Sequence, residues 1–462
     1  MNMIAEYSGG EIYGDMSAEH AFSYVCTDSR ESDHETLFVA TRGERVDGHD
    51  YIASAIERGC RCILCEYIPD NARDRGAVFA VVKNSVDAFA DVAKGYRLGK
   101  TLPSVAITGS YGKTTTKELT AAILSRKYKN YSTQGNFNSV IGMPMSLMEA
   151  GAECESAVFE MGMSGFGEIR SMTNCARPKV AIVANVGTSH LEYLKTRENI
   201  ARAKLEIAEG LSFGGYLLLN GDEPLLRMSQ EDIAAREYEI LYVGLDNVSN
   251  CHAYAENIRV TDSGTHFDLC YGGKRVKDLK INLVGRHFAL NASFASVAAL
   301  LLGAGEQEIR DGLALYHPDG IRSRIEKKGD ITLISDCYNA APESMRAAID
   351  TLASLDIKGK RVAVLGDMRE LGDDSDRLHA ELGGYLADKV DVLITLGESG
   401  RMIAESAVGT GMISNVSSFV DIDNIEHAVE KIRAVLTDGD AILFKASRSL
   451  RFERLISEIF TE

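Results

Sequence analysis

Hydrophobic and polar positions along this chain fall into three successive blocks. In the first, short apolar runs at Thr36–Ala40, Cys62–Cys65 and Val78–Val82 alternate with stretches of helical spacing at Tyr51–Arg58 and Ser85–Tyr96. The segment Leu98–Pro103, with Gly99 and Pro103, breaks that pattern. The second block repeats strand and helix as far as about Tyr316, with apolar strands at Val105–Ile107, Ala157–Glu160, Val180–Asn185 and Gly215–Asn220. His317-Pro-Asp-Gly320 interrupts the chain again, and the third block resumes with strands at Ile331–Ser335, Arg361–Gly366, Val390–Leu396 and Ala441–Ala446. Alternating strands and helices predict mostly parallel sheets covered on both faces, an α/β fold in three domains. The breaks put the domains at residues 1–100, 101–317 and 318–462. Polar residues that close such strands are the expected ligand contacts.

Charge narrows the function. A formal charge of −17 over 462 residues argues against a nucleic-acid binder, which needs a basic face. An anionic substrate must therefore be held by locally placed Lys and Arg. No apolar run approaches a membrane span, and the start Met1-Asn-Met-Ile-Ala-Glu-Tyr7 has no secretion-signal pattern, so a cytoplasmic protein without membrane insertion is expected. The nine cysteines are then expected as free thiols. Cys60-Arg-Cys62-Ile-Leu-Cys65 has the look of a metal knuckle, but no second pair follows at zinc spacing, and the segment reads as a buried strand.

The strongest chemical signal is Val105-Ala-Ile-Thr-Gly-Ser-Tyr-Gly-Lys-Thr-Thr-Thr116. An apolar strand feeds a glycine loop, and a helix is expected over Lys117–Leu124. Gly109, Ser110 and Gly112 let backbone N–H groups approach an anion, and the helix start adds unpaired donors. Lys113 is placed to reach the outer phosphates of a nucleotide, and the Thr114 or Thr115 hydroxyl to hold Mg²⁺. Ile107 stands where a longer phosphate loop has its first glycine, which points to a subgroup of nucleotide hydrolases and ligases.

Other candidates gather around this loop. Glu160 closes a strand, where a carboxylate suits Mg²⁺. His190 follows the next strand in Asn185-Val-Gly-Thr-Ser-His190, a place for a metal or phosphate contact. Lys204 shares a helical stripe with Ile200, Ala203, Ile207 and Leu211, so it either snorkels or loses its charge. A neutral amine there could add CO₂ and become a carbamate, a carboxylate-like ligand. Thr133-Gln-Gly-Asn-Phe-Asn-Ser139 offers the amides of Asn136 and Asn138. In the first block, Thr27-Asp-Ser-Arg30 and the stretch Arg42–Asp50 are dense in hydrogen-bonding groups. In the third, Asp336-Cys-Tyr-Asn-Ala-Ala-Pro342, Gly366-Asp-Met-Arg-Glu-Leu-Gly372 and Lys445-Ala-Ser-Arg448 all follow strands.

Taken in order, these motifs closely resemble the Mur ligases of peptidoglycan synthesis over nearly the whole chain. Tyr-Asn-Ala-x-Pro, Gly-Asp-Met-x-Glu-Leu-Gly and Lys-x-Ser-Arg resemble the member that adds a dipeptide, and the Asp-Asn-Pro-Arg motif of its tripeptide-forming neighbour is absent. The resemblance implies a small α/β UDP-sugar domain, a central P-loop ATPase domain with a parallel sheet and a Rossmann-like C-terminal domain. It implies joining of D-alanyl-D-alanine to UDP-N-acetylmuramoyl-tripeptide with ATP and Mg²⁺, through an acyl phosphate, by a monomer. Lys113 and Thr114 would handle the phosphates and Mg²⁺, Glu160 and His190 the metal sites, and Lys204 would be carbamylated. Asn291 would contact adenine, and Arg324, chosen over Arg322 by its spacing, would complete the nucleotide site with Asp336. Asp28, Ser29, Arg30, Asp47 and His49 would lie near the UDP-sugar, and Tyr338 and Asn339 near the peptide and the incoming dipeptide. Tyr111, Ser139 and Phe288 each stand where the family usually carries Asn. A ligase of the folylpolyglutamate synthase type, or a nucleotide switch that forms no bond, are the alternatives. The first would lack the UDP-binding domain, and the second has no need of Lys204.

Overall fold

The computed structural model describes the chain apart from residues 16–20, 44–45, 100–101, 152, 228–236, 319–323, 414, 421–424 and 461–462. Three sheets follow one another along it. The first contains β1 (Glu11–Tyr13), β2 (Tyr24–Cys26), β3 (Thr36–Val39), β4 (Cys62–Cys65) and β5 (Val78–Val81) in the order β1-β5-β4-β3-β2. Only the β1–β5 pair is antiparallel. The Cys60–Cys65 segment is buried, with β4 central in this sheet, so its thiols serve as core.

The second sheet has nine strands: β6 (Ser104–Thr108), β7 (Asn130–Ser132), β8 (Ser156–Glu160), β9 (Val180–Val183), β10 (Gly215–Asn220), β11 (Tyr238–Gly244), β12 (Ala253–Thr261), β13 (Gly264–Tyr271) and β14 (Lys274–Ile281). They run in the order β14-β13-β12-β11-β10-β9-β6-β8-β7. From β6 the chain first builds outward through β7 and β8, then crosses to β9 on the other side. That reversal makes a crevice at the carboxyl end of β6, where open α/β sheets bind ligands.

The alternation of strand and helix does not persist to Tyr316. β12, β13 and β14 form an antiparallel meander with no helix between them. Gly272 and Gly273, at φ 57° and 75°, make the two-residue hairpin that joins Tyr271 to Lys274. The third sheet holds β15 (Arg324–Lys328), β16 (Ile331–Asp336), β17 (Arg361–Gly366), β18 (Val392–Leu396), β19 (Asn415–Phe419) and β20 (Ala441–Lys445). Their order is β15-β16-β20-β17-β18-β19, with only the β15–β16 pair antiparallel.

The helix after the phosphate loop begins at Lys113, not Lys117. It is covered by the buried helix His287–Leu301 and by Glu306–Leu315. Gly312 lets the last of these approach closely: a Cβ there would stand 2.5 Å from the Ile123 Cα, a backbone atom that cannot swing aside. Gly312→Ala is therefore expected to destabilise the fold by about 1–3 kcal/mol, read from urea unfolding. Helix propensity alone predicts a gain of about 1 kcal/mol, so the sign of the change separates the two effects.

All nine cysteines are free and seven are buried. Burial pushes the thiols up, Cys26 and Cys62 to about 11 and Cys65, Cys175 and Cys337 to about 12.

Candidate active site

The loop between β6 and the helix Lys113–Leu124 is held from beneath by one side chain. Asn185, just beyond β9, accepts hydrogen bonds through Oδ1 from the N–H groups of Ser110 (2.8 Å) and Tyr111 (3.0 Å), and its Nδ2 donates to the Tyr111 carbonyl (2.7 Å). The Gly187 N–H donates to Ser110 Oγ at 2.9 Å. Gly112 takes φ 72°, and the buried Asn291 amide packs over it so closely that a Cβ would lie 3.0 Å from Oδ1. Lys113 folds back over the loop, with Nζ donating to the Gly109 carbonyl at 2.7 Å. Tyr111 is largely enclosed, and burial raises its hydroxyl to about 12.

This loop opens on a cavity of about 860 Å³ between the second and third sheets. Ser110, Gly112, Lys113, Thr114, Thr115, Asn138, Glu160 and Asn291 line one side, and Asp336, Tyr338, Asn339 and Lys445 the other. Glu160 is 3% exposed; Asn138 Nδ2 donates to its Oε1 at 2.7 Å, while Oε2 is buried without a partner. An orphaned carboxylate oxygen facing a phosphate loop fits a hard cation that keeps most of its waters. Among the described residues, no three His, Cys, Asp or Glu side chains gather at metal-binding distance. A cation here would draw on Glu160, the Thr114 hydroxyl, water and the phosphates themselves. Across the cavity, the buried Lys445 pairs with Asp336 and donates to the Asn339 carbonyl at 3.1 Å.

Lys204 does not snorkel. It is 1% exposed on the helix Arg197–Leu205 and meets no hydrogen-bond or ion-pair partner among the described residues. Desolvation, helped by the positive charge of Lys113, drives its amine well below the usual lysine range. His190 lies outside the cavity lining, at φ 65°, with Nδ1 2.5 Å from Oε2 of Glu370 on the third sheet's side.

Several expected contacts sit elsewhere. Arg324 is exposed and pairs with Glu326 at 2.7 Å, away from the cavity, and Arg322 falls outside the described residues. His49 is fully buried; its Nδ1 lies 2.6 Å from Asp47, and its Nε2 accepts from the Glu66 N–H at 2.8 Å. With both ring nitrogens taken, it shapes its loop and has none left for a ligand. Asp28 and Arg30 pair on the surface beside the buried Ser29, and the hydrogen bond from Arg30 holds the Asp28 carboxyl at about 2. Asn136 is exposed on the loop before Asn138.

Comparison with known proteins places this architecture. Three family descriptions match in order: "Mur ligase family, catalytic domain" over residues 22–96, "Mur ligase middle domain" over 107–299 and "Mur ligase, glutamate ligase domain" over 322–448. The UDP-N-acetylmuramoyl-tripeptide–D-alanyl-D-alanine ligase of Bacillus subtilis is 34% identical over 459 residues, covering 99% of this chain and 97% of that protein. This chain belongs to the Mur ligase family. A crystal structure of MurF from Acinetobacter baumannii superposes on it with a TM-score of 0.90 at 29% identity, covering 100% of this chain and 98% of that one. MurF ligase from Thermotoga maritima, solved in complex with ADP, superposes with a TM-score of 0.83 at 28% identity, covering 95% and 97% of the two chains.

In this Mur ligase the sequence motifs contain further site residues whose roles spacing does not reveal. Asn185 as the brace of the phosphate loop is one. His287 is another. It lines the cavity beside Asp336 and Lys445, and burial lowers its imidazole to about 4 against the pull of Asp336 and Asp350. Between pH 6.5 and 4 the unfolded chain binds this proton and the folded one does not, so stability falls as pH drops through that window. His287→Gln is expected to flatten the fall in melting temperature across it, measured by calorimetry.

Proposed function

We propose that this chain is an ATP-dependent amide ligase that joins D-alanyl-D-alanine to UDP-N-acetylmuramoyl-tripeptide in peptidoglycan precursor synthesis. The observation that carries this reading is the cavity itself: a phosphate loop and a buried carboxylate with a free oxygen face the third domain, in a chain alike from end to end to a ligase of that name.

The chemistry follows from the residues. A carboxylate resists attack by an amine until one oxygen becomes a leaving group. The terminal carboxylate of the tripeptide attacks the γ-phosphorus of ATP, giving an acyl phosphate and ADP; the dipeptide amine then attacks the acyl carbon and phosphate leaves. Lys113 and the loop N–H groups stabilise the charge that gathers on the transferring oxygens. Thr114 and Glu160 would hold Mg²⁺, with His190 at a second position, and the ion supplies electrostatic stabilisation of the same charge. Asn291 serves the adenine end, and Asp336, Tyr338 and Asn339 bring the third domain's contacts to the nucleotide and peptide.

Lys204 enters as a carbamate. Its neutral amine adds CO₂ to give N–COO⁻ and release a proton, and the new anion offsets the charge of Lys113. The first domain, residues 1–100, holds the UDP-sugar with Asp28, Ser29, Arg30 and Asp47; residues 101–317 bind ATP, and residues 318–462 close over them. Among the described residues no helix is long and apolar enough to cross a membrane. The enzyme acts as a cytoplasmic monomer on small-molecule substrates.

The test is phosphate release from ATP and Mg²⁺ with UDP-N-acetylmuramoyl-tripeptide, in lysine and diaminopimelate forms, with and without D-alanyl-D-alanine. Release that needs both substrates, with a pentapeptide product by mass, is expected. Release indifferent to the dipeptide would count against this reading and favour a sister ligase.

A further inference from the structure

The strand β20 is four apolar residues followed by a lysine, Ala441-Ile-Leu-Phe-Lys445, and all five are buried. Lys445 is 2% exposed at the carboxyl end of the strand, which lies between β16 and β17. Its register partner on the parallel β16 is Asp336, the last residue of that strand. An ammonium taken out of water needs compensation. Two groups supply it: Nζ pairs with Asp336 Oδ2 and donates to the Asn339 carbonyl at 3.1 Å. Stability alone does not account for the pair, because a buried ion pair is commonly no more stable than apolar side chains of like volume.

The two partners stand at the ends of one short turn. Asp336-Cys-Tyr-Asn339 leaves β16 and leads into the helix Pro342–Ser354. Cys337 Sγ donates to the Phe444 carbonyl at 3.4 Å, which fastens the middle of the turn to β20. Asn339 Oδ1 accepts from the Ala340 N–H at 2.8 Å. Asp336, Tyr338, Asn339 and Lys445 all line the cavity opposite the phosphate loop. One buried ammonium therefore spans the turn, holding its first residue by the side chain and its last by the backbone.

We propose that Lys445 is a positioning residue for ligation, whose ammonium ties the nucleotide contact of Asp336 to the dipeptide contact of the Asn339 turn. The inference rests on the reaction proposed above, which gives Asp336 to the nucleotide and Asn339 to the incoming dipeptide. With both ends of the turn on one cation, a ligand that settles Asp336 also settles the Asn339 carbonyl. Each ligand then finds the contacts of the other already ordered, and this coupling is reciprocal. A lysine suits the place because its donors radiate from a single nitrogen, so two acceptors in different directions can share it.

The experiment measures binding of D-alanyl-D-alanine to the full chain by calorimetry. UDP-N-acetylmuramoyl-tripeptide and Mg²⁺ are present throughout, with and without a non-hydrolysable ATP analogue. In the wild type the analogue is expected to tighten the dipeptide about 10-fold, and the dipeptide to tighten the analogue by the same factor. Lys445→Met, which keeps the volume and removes the ammonium, is expected to bring that factor to about 1. Lys445→Gln, whose amide can donate to one partner but not to both, is expected to do the same. It leaves Asp336 a hydrogen bond, so it decides the matter if the methionine variant fails to fold. A lysine that served only the fold would change the melting temperature and leave the factor as it was. A wild type without coupling, or a folded variant of either kind with the wild-type factor, overturns the proposal. Wild type that forms pentapeptide without coupling overturns this role alone. Wild type that binds the analogue and no dipeptide overturns the ligase reading and this role with it.

Discussion

Lys113→Ala is expected to lower pentapeptide formation by about 10³-fold or more at saturating ATP, with the fold intact. The lysine sits in the first turn of its helix, where alanine is the best substitute for helix formation, and its Nζ donates to the carbonyls of Gly109 and Ser110 in its own loop. Its removal subtracts a positive charge from the point where phosphate oxygens gather and leaves the Asn185 brace and the Thr116 contact to Gly112 in place. Product mass and ADP release measure the first part of this prediction, and thermal unfolding the second. Near-normal turnover would remove the nucleotide from this loop.

The second large effect concerns Lys204 and has two sides that move in opposite directions. Lys204→Met is expected to abolish ligation and yet to raise the melting temperature. A buried amine with no partner costs stability, and an unbranched apolar side chain of similar length removes that cost while filling the same space. Lys204→Ala is expected to be inactive too, but to regain part of its activity when short carboxylic acids are added, since they can enter the vacated space as the missing anion. Ligation assays with and without acetate or formate, beside calorimetry of both variants, read all of this. Full activity in either variant without an additive would make Lys204 a core residue and nothing more. Wild type freed of dissolved CO₂ should lose activity in the same way and recover with bicarbonate.

The helical stripe through Ile200, Ala203 and Ile207 carried enough information to mark Lys204, because periodicity reports which face of a helix is covered. The phosphate loop was legible for a similar reason: strand, glycines and lysine are neighbours in sequence, so local order fixes local geometry. Its helix begins four residues earlier than propensity suggests, since Thr114, Thr115 and Thr116 are weak helix formers held in place by the loop. The β12–β14 meander is masked in the sequence by the βα rhythm on either side of it, and its one local mark is Gly272-Gly273 between two strand-forming runs. The first domain misleads in another way. Asp28, Arg30, Asp47 and His49 are polar and clustered, but much of their hydrogen-bonding capacity is spent on one another, which composition does not reveal. Glu343, in the first turn of the helix Pro342–Ser354, and Glu370, on a loop, have partners 155 and 180 residues away in the chain, so their meeting with Thr188 and His190 follows from domain packing alone.

The nine free thiols are distributed so that they can act as clocks. Cys26, Cys62 and Cys65 belong to the first sheet with Cys60 buried just before β4, Cys175 and Cys270 are buried in the middle domain, and Cys337 is buried in the third. A thiol shut away from water reacts with an alkylating reagent only when its surroundings open, so labelling rates read the free energy of local opening. Mass spectrometry of digested, pulse-labelled protein would time each domain separately within a single sample. ATP should then slow Cys337 and Cys175 to different extents and leave the first-sheet cysteines to report on the UDP-sugar.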